Sequence, residues 1–245
     1  MARSVTKIGT YVARNTGRTL SDSQLTDFCD EALRVALNVH PFADSISIES
    51  IEISEGDSSV DISSISDIIH TIAVQAIDKS GESSRPIIMK DKVWWNRNVV
   101  DADQRRSDWP RYGHRAGNII DLNCKVNRDL TIKVIVSTVK TYEDTTSPGP
   151  IDTLDIFVGH YVTAMAFLSL QDDQAYQRWK TVALGHRWDV GEVGGSLANA
   201  IASDKFDLST EMRASYYSDD VADFGLSVRN LNSSHDDYNN IQSWY

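Results

Sequence analysis

Eight cations and four aromatic rings are interleaved between residues 85 and 115. Arg85, Lys90, Lys92, Arg97, Arg105, Arg106, Arg111 and Arg115 face only Asp91, Asp101, Asp103 and Asp108, and Trp94, Trp95, Trp109 and Tyr112 stand among them. Side chains of these two kinds, set together, can stack on bases and neutralise phosphates along a single nucleic-acid strand. They are also the side chains enriched where proteins hold one another. The plainest reading is that the tryptophans cover a β lobe while the arginines pair with nearby acids or with a neighbouring subunit.

Other residue types that do chemistry are present without the spacing that chemistry needs. His40, His70, His114, His160, His186 and His235 show neither HxxxH nor HExxH, so no zinc site is expected. Gly191-Glu192-Val193-Gly194-Gly195-Ser196 lacks the lysine of a phosphate loop and follows a helix where that loop follows a strand, so it reads as a flexible hinge. Asp101 with Asp103, and Asp219 with Asp220, lie in polar loops and read as solvated acids. No GxSxG elbow occurs, and neither Cys29 nor Cys124 has a nucleophile's context. No cofactor, metal or catalytic site is therefore expected, and the chain reads as a non-enzyme.

The whole-chain arithmetic agrees with a globular protein. The 245 residues carry 24 Lys+Arg against 35 Asp+Glu, a formal charge of −11, with 41% hydrophobic and 24% charged residues. That acidity argues against a protein that coats nucleic acid, because phosphate binding draws on Lys and Arg. The longest apolar run, around Val162 to Leu168, is too short to cross a bilayer, and the first residues lack a signal peptide's apolar core. The two cysteines, far apart in sequence, read as reduced core residues of an intracellular protein. No membrane partner is expected.

The charge is unevenly placed among the elements. Residues 1–18 hold Arg3, Lys7, Arg14 and Arg18 and no acid, and read as a basic N-terminal arm. Ser21 and Gln24 form a capping box before a helix whose stripe is Leu25, Phe28, Ala32, Leu33, Ala36 and Leu37, stopped by His40-Pro41. Residues 43–150 read mostly as β. Ile46 and Ile48 are out of phase with Ile51 and Ile53, which predicts a bulge near Ser50. The clearest strand is 129–139, with 118–122 as its hairpin partner, and a short helix is expected near 91–98. Leu154, Phe157, Val158, Tyr161, Val162, Met165 and Leu168 mark one helix. Ala175, Tyr176, Trp179, Val182 and Ala183 mark the next, and a three-residue joint forces the pair into a hairpin. From 187 to 245 the periodicity fades, with ten acids against four bases but many aromatics.

The expected fold is therefore α+β. A helical bundle (19–42 and 151–186) carries an inserted β-rich lobe (43–150) and a long extended C-terminal tail (187–245). This order of elements, with Trp94-Trp95 in the insert and Asp172-Asp173-Gln174-Ala175-Tyr176-Gln177-Arg178-Trp179 opening the last helix, resembles the head-to-tail adaptors (connector, or tail tubular A-like proteins) of tailed bacteriophages. The resemblance covers about residues 20–185. It implies a virion structural protein at the head–tail junction, assembled in the host cytoplasm. The family's members form a ring, usually of twelve copies, that joins the portal protein to the tail nozzle or tail tube and lets double-stranded DNA pass without sequence recognition. It further implies portal or neighbouring-subunit contacts through Trp188, Tyr216, Tyr217, Phe224, Tyr238, Trp244 and Tyr245, and tail-side or subunit contacts through Trp94, Trp95, Arg105, Arg106 and Trp109. Two other readings stand beside it. One is another phage tail protein, a tail completion or nozzle component; the other is a hydrolase without a recognisable motif, for which His114, His160 and Asp121 are the residues to test.

Overall fold

The computed structural model describes residues 3–81, 83–99 and 102–204. Six helices and nine strands follow in the order α1 (Val5–Thr16), α2 (Asp22–Val39), β1 (Ile46–Ile53), β2 (Ser59–Asp61), β3 (Ile68–Asp78), β4 (Ser84–Met89), α3 (Lys92–Asn98), β5 (Arg106–Ser107), β6 (Tyr112–Ala116), β7 (Ile119–Leu122), β8 (Lys125–Val126), β9 (Leu130–Thr138), α4 (Asp155–Ser169), α5 (Asp173–Leu184) and α6 (Gly195–Ser203). The chain divides into two compact units. Among the described residues, one comprises 3–45 and 139–204, and the other comprises 46–138.

In the first unit, α4 is the helix against which α1, α2, α5 and α6 all pack. Its sequence dictates that place: it is apolar on nearly every side, and Phe157, Val158, Val162, Ala164 and Ala166 are buried. Helix α2 opens with the capping box, in which Ser21 accepts from the Gln24 amide and the Gln24 side chain accepts from the Ser21 amide. The segment expected as a polar arm is helix α1. Val5, Ile8 and Val12 recur at helical spacing and are fully buried, an apolar stripe that the four cations conceal in a composition count.

Hydrogen bonds from its first residues fasten α1 into this unit. The Arg3 amide donates to Asp155 Oδ2 at 2.7 Å, and the Thr6 amide donates to the Thr145 carbonyl at 3.0 Å. Asp155 is buried, its Oδ1 has no hydrogen-bond partner, and burial raises its pKa despite the Arg3 amide. A raised carboxyl pKa favours the native state when protonated, and that stability is lost as pH rises through the folded value. Asp155→Asn keeps an acceptor for the Arg3 amide and removes the buried charge. It is expected to melt above the parent protein at pH 7, with the advantage shrinking as pH falls towards the ordinary aspartate range. A lower melting temperature at pH 7 would contradict this.

The expected extended tail also begins as ordered structure. Helix α6 follows a 3-10 turn at Trp188–Val190. Beyond it, Asp204 accepts from the Ala43 amide at 3.2 Å and pairs with His40 Nε2 at 3.0 Å, so residues 195–204 are held against the end of α2. Gly194 and Gly195 form a close-packed elbow against the end of α5, where a flexible hinge was expected. The Gly194 amide donates to the Leu184 carbonyl at 2.8 Å, and Gly185 and Gly194 approach so closely that a Cβ on Gly185 would lie 2.7 Å from the Gly194 Cα.

The second unit is a seven-stranded mixed sheet in the order β1-β9-β3-β4-β6-β7-β2, with a small parallel pair β5-β8. Its core is one cluster that includes Ile53, Val60, Ile62, Val74, Ile87, Ile120, Leu122, Leu130, Ile132 and Val134. Burying these side chains on one face is what holds the strands together, at about 2 kcal/mol for each large aliphatic group. Within the seven-stranded sheet, the neighbours β4 and β6 run parallel, with Ile88 opposite Tyr112, and the other pairs are antiparallel. A parallel neighbour requires a crossover, and α3 with the segment after it supplies one.

This architecture overturns the expected helical bundle with an inserted lobe, and residues 188–203 form a 3-10 turn and a helix where an extended tail was expected, the rest of that tail (205–245) lying outside the described residues. The protein is α+β, with a large mixed sheet that has its own core and, among the described residues, six helices. Strand pairings differ from expectation in two places. Residues 119–122 pair with β6 and β2, whereas β9 lies between β1 and β3. The pairing of β1 with β9 runs unbroken from Ile46 to Ile53, and the register shifts fall on β3 near His70 and Thr71. The phase change in β1 has a different cause from a bulge: Ile51 and Ile53 pack on the core side, while Ile46 and Ile48 lie on the other face.

Candidate interaction surface around the tryptophans

The crossover between β4 and β6 brings the cation–aromatic cluster together. Asp91 caps α3 by accepting from the Trp94 amide at 2.8 Å, which starts the helix directly after β4 and turns Trp94 and Trp95 back over the sheet. Lys90 follows Ile88 in the alternation of β4, and His114 follows Tyr112 in that of β6, so all four lie on one face of the parallel pair. The Trp94 and Tyr112 rings meet at 4.9 Å, and Trp95 stacks on His114 at 5.7 Å. Lys90 Nζ sits 5.3 Å from the Trp94 ring and 6.0 Å from Tyr112, and the Arg111 guanidinium lies 5.3 Å from Tyr112. The His114 Nδ1 contacts the Lys90 carbonyl at 3.0 Å, tying β6 back to the end of β4.

Trp109 forms the second half of the cluster. It packs against the core of the sheet and is flanked by two guanidiniums, Arg128 at 4.3 Å and Arg85 at 5.3 Å from its centroid. Arg128 also reaches Asp78 at 3.4 Å. Cations over tryptophan faces attract the ring quadrupole, by about 0.5–1 kcal/mol each at exposed sites.

The five residues expected at a tail-side or subunit contact all lie in this unit. Trp94, Trp95 and Trp109 are half-buried, while Arg105 and Arg106 are exposed. Arg106 approaches Glu55 at 3.9 Å, an exposed pair that contributes little. Neighbouring rings and cations pack against these rings. Exposed Lys92, Arg97, Arg105, Arg106 and Arg111 surround them. Two members were not visible from spacing. Arg128 lies beyond the sequence cluster, and His114 joins it only through the parallel register of β4 and β6, a pairing with no local signature.

Of the residues expected at the portal, Trp188 lies half-buried in the 3-10 turn beside exposed Val190. Tyr216, Tyr217, Phe224, Tyr238, Trp244 and Tyr245 lie outside the described residues. The hydrolase candidates do not assemble. His114 stands opposite Asp121 in the β6–β7 register, but its Nδ1 is engaged by the Lys90 carbonyl and Trp95 covers it. His160 belongs to the other unit, where its Nδ1 meets Ser196 Oγ at 3.1 Å between the rings of Tyr11 and Trp179. Burial lowers its pKa, with Arg3 adding to the effect, and among the described residues no carboxylate contacts the ring. Ser196 is itself buried, with the Ala183 carbonyl 3.5 Å from its hydroxyl.

Both cysteines are buried and unbonded, and burial pushes the Cys29 thiol up to about 12. Among the described residues, no group of three or more His, Cys, Asp or Glu is placed to hold a metal ion, and no helix is long and apolar enough to cross a membrane. Comparison of the chain with models of protein families and with curated proteins finds no match.

Proposed function

We propose that this protein is a virion structural protein, a head-to-tail adaptor that assembles as a ring of twelve copies between the portal and the tail nozzle or tube. The observation that carries a structural role is the cluster around Trp94, Trp95 and Trp109. Its rings pack against one another and against cations, exposed arginines and lysines surround them, and among the described residues no nucleophile, base and orienting acid converge. The specific place in the virion rests on the resemblance of the helix wording and element order. A closed ring needs two different complementary faces on each subunit. The local excess of cations between residues 85 and 115, and the acidic, aromatic-rich stretch after residue 187, supply opposite charges for such faces. The net charge of −11 suits a channel past which DNA slides without adhering.

Electron microscopy of the purified protein with and without portal rings tests this reading. Twelve-fold rings seated on portals are expected. Deleting residues 230–245 is expected to leave the circular dichroism spectrum unchanged and to weaken portal attachment, read as loss of co-sedimentation. Six-fold rings or fibres that ignore the portal would point instead to a tail component.

A further inference from the structure

Helix α3 has half-buried tryptophans on one side and an exposed face on the other. Trp94 and Trp95 pack on Tyr112 and His114, whereas Lys92, Val93, Asn96 and Arg97 are exposed. At 100° per residue these four occupy one continuous arc of about 140°, in the order Lys92, Asn96, Val93, Arg97. Val93 is 60% exposed, and the arc has a cation at each end. No carboxylate lies on it, since Asp91 is engaged as the N-cap on the Trp94 amide. Among the described residues, neither Lys92 nor Arg97 has an ion-pair partner.

This face states what would cover it. Its two cations call for carboxylates, and the valine between them calls for an apolar or aromatic side chain. Two cations are too few to hold a nucleic-acid strand, whose binding draws on many. So small a face also holds a free partner weakly, because exposed ion pairs contribute little. A segment tethered to the same chain escapes that limit, with an effective concentration of about a millimolar.

The chain supplies such a segment. Residues 205–245 follow Asp204, whose carboxylate is held by the Ala43 amide and His40. Their densest run of carboxylates is Asp219, Asp220 and Asp223, set among Tyr216, Tyr217, Val221 and Phe224, with no Lys or Arg from 214 to 228. The step from Asp204 to Tyr216 can span up to about 40 Å of extended chain.

We propose that residues 216–224 dock on the outer face of α3 of the same chain, with their carboxylates on Lys92 and Arg97 and their aromatic rings on Val93. The proposal rests on this face and this segment and is independent of the adaptor reading.

Hydrogen exchange of the full chain tests it. At low salt, amides of 216–224 are expected to exchange about tenfold more slowly than in the same segment as a free peptide, equally at high and low protein concentration. About 1 M salt should remove most of that slowing. Lys92→Glu/Arg97→Glu, altered only at exposed positions, should abolish it at an unchanged melting temperature, as should Asp219→Lys/Asp220→Lys/Asp223→Lys. Combining the two sets reverses both charges and should restore it, which a merely structural effect of either set would not do. Exchange in the parent as fast as in the free peptide, slowing that survives either set of substitutions, or failure of the combination to restore it would each overturn the proposal. So would slowing that grows with protein concentration, which would make a second copy's segment the occupant.

Discussion

Gly195→Ala is expected to lower stability by about 3 kcal/mol or more, seen as a melting temperature reduced by roughly 10 °C. Gly195 opens α6 with φ +58°, in the left-handed region. A Cβ there would collide with the Val182 carbonyl oxygen and stand 2.8 Å from the Ala183 carbonyl carbon and oxygen. Both obstacles are backbone at the end of α5, so neither can rotate aside. The control is Gly191→Ala. Gly191 has φ +85°, yet a Cβ there would meet nothing within 4 Å, so only conformational strain of about 1–2 kcal/mol applies. Comparing the two by thermal denaturation isolates the collision. Equal losses would mean that α6 can shift away from α5, and the close-packed elbow would be wrong.

Trp109→Ala is expected to cost about 3–5 kcal/mol in urea denaturation, since it removes a large ring that packs on the sheet core. It also strips two guanidiniums of their apolar support. Arg85→Ala and Arg128→Ala should each cost about 1 kcal/mol or less through the ring contact, with Arg128 the larger because it lies 1.0 Å nearer the centroid and also reaches Asp78. Trp109→Phe should retain most of the stability. A loss below about 1 kcal/mol for Trp109→Ala would mean that the ring is surface cover. In the adaptor reading, the same substitution is expected to impair ring assembly only as far as it unfolds the sheet. Arg105→Glu with Arg106→Glu should impair assembly at unchanged stability, because both side chains are exposed.

The failed expectations share a physical origin. The helices were readable because their signals lie within a few residues of one another. Ser21 and Gln24 predict the capping box that α2 uses, and the three-residue joint predicts the α4–α5 turn, where Gln171 takes φ +59°. Helix α1 was missed because residues 1–18 hold four cations and no acid, two of them, Lys7 and Arg14, within the helix, although Val5, Ile8 and Val12 mark its buried side as clearly as the stripe of α2 does. The glycines at 191–195 were read as freedom. In the structure, Gly194 and Gly195 let two backbones touch.

The sequence by itself determined where apolar and polar side chains alternate, where helices start and stop, and that Trp94, Trp95, Trp109 and the arginines around them share one stretch of chain. These follow from rules that act over one to four residues. Only the tertiary structure decided which strands are neighbours. It placed β9 between β1 and β3, set β4 parallel to β6, and left β1 at one end of the strand order. Pairing joins residues tens of positions apart, and its selection depends on how all seven strands bury a common face, a sum that no local window contains. The cation–aromatic surface shows both levels. Its residue types were plain in the sequence, but the contacts of Trp95 with His114 and of Arg128 with Trp109 exist because the crossover through α3 brings separate strands together.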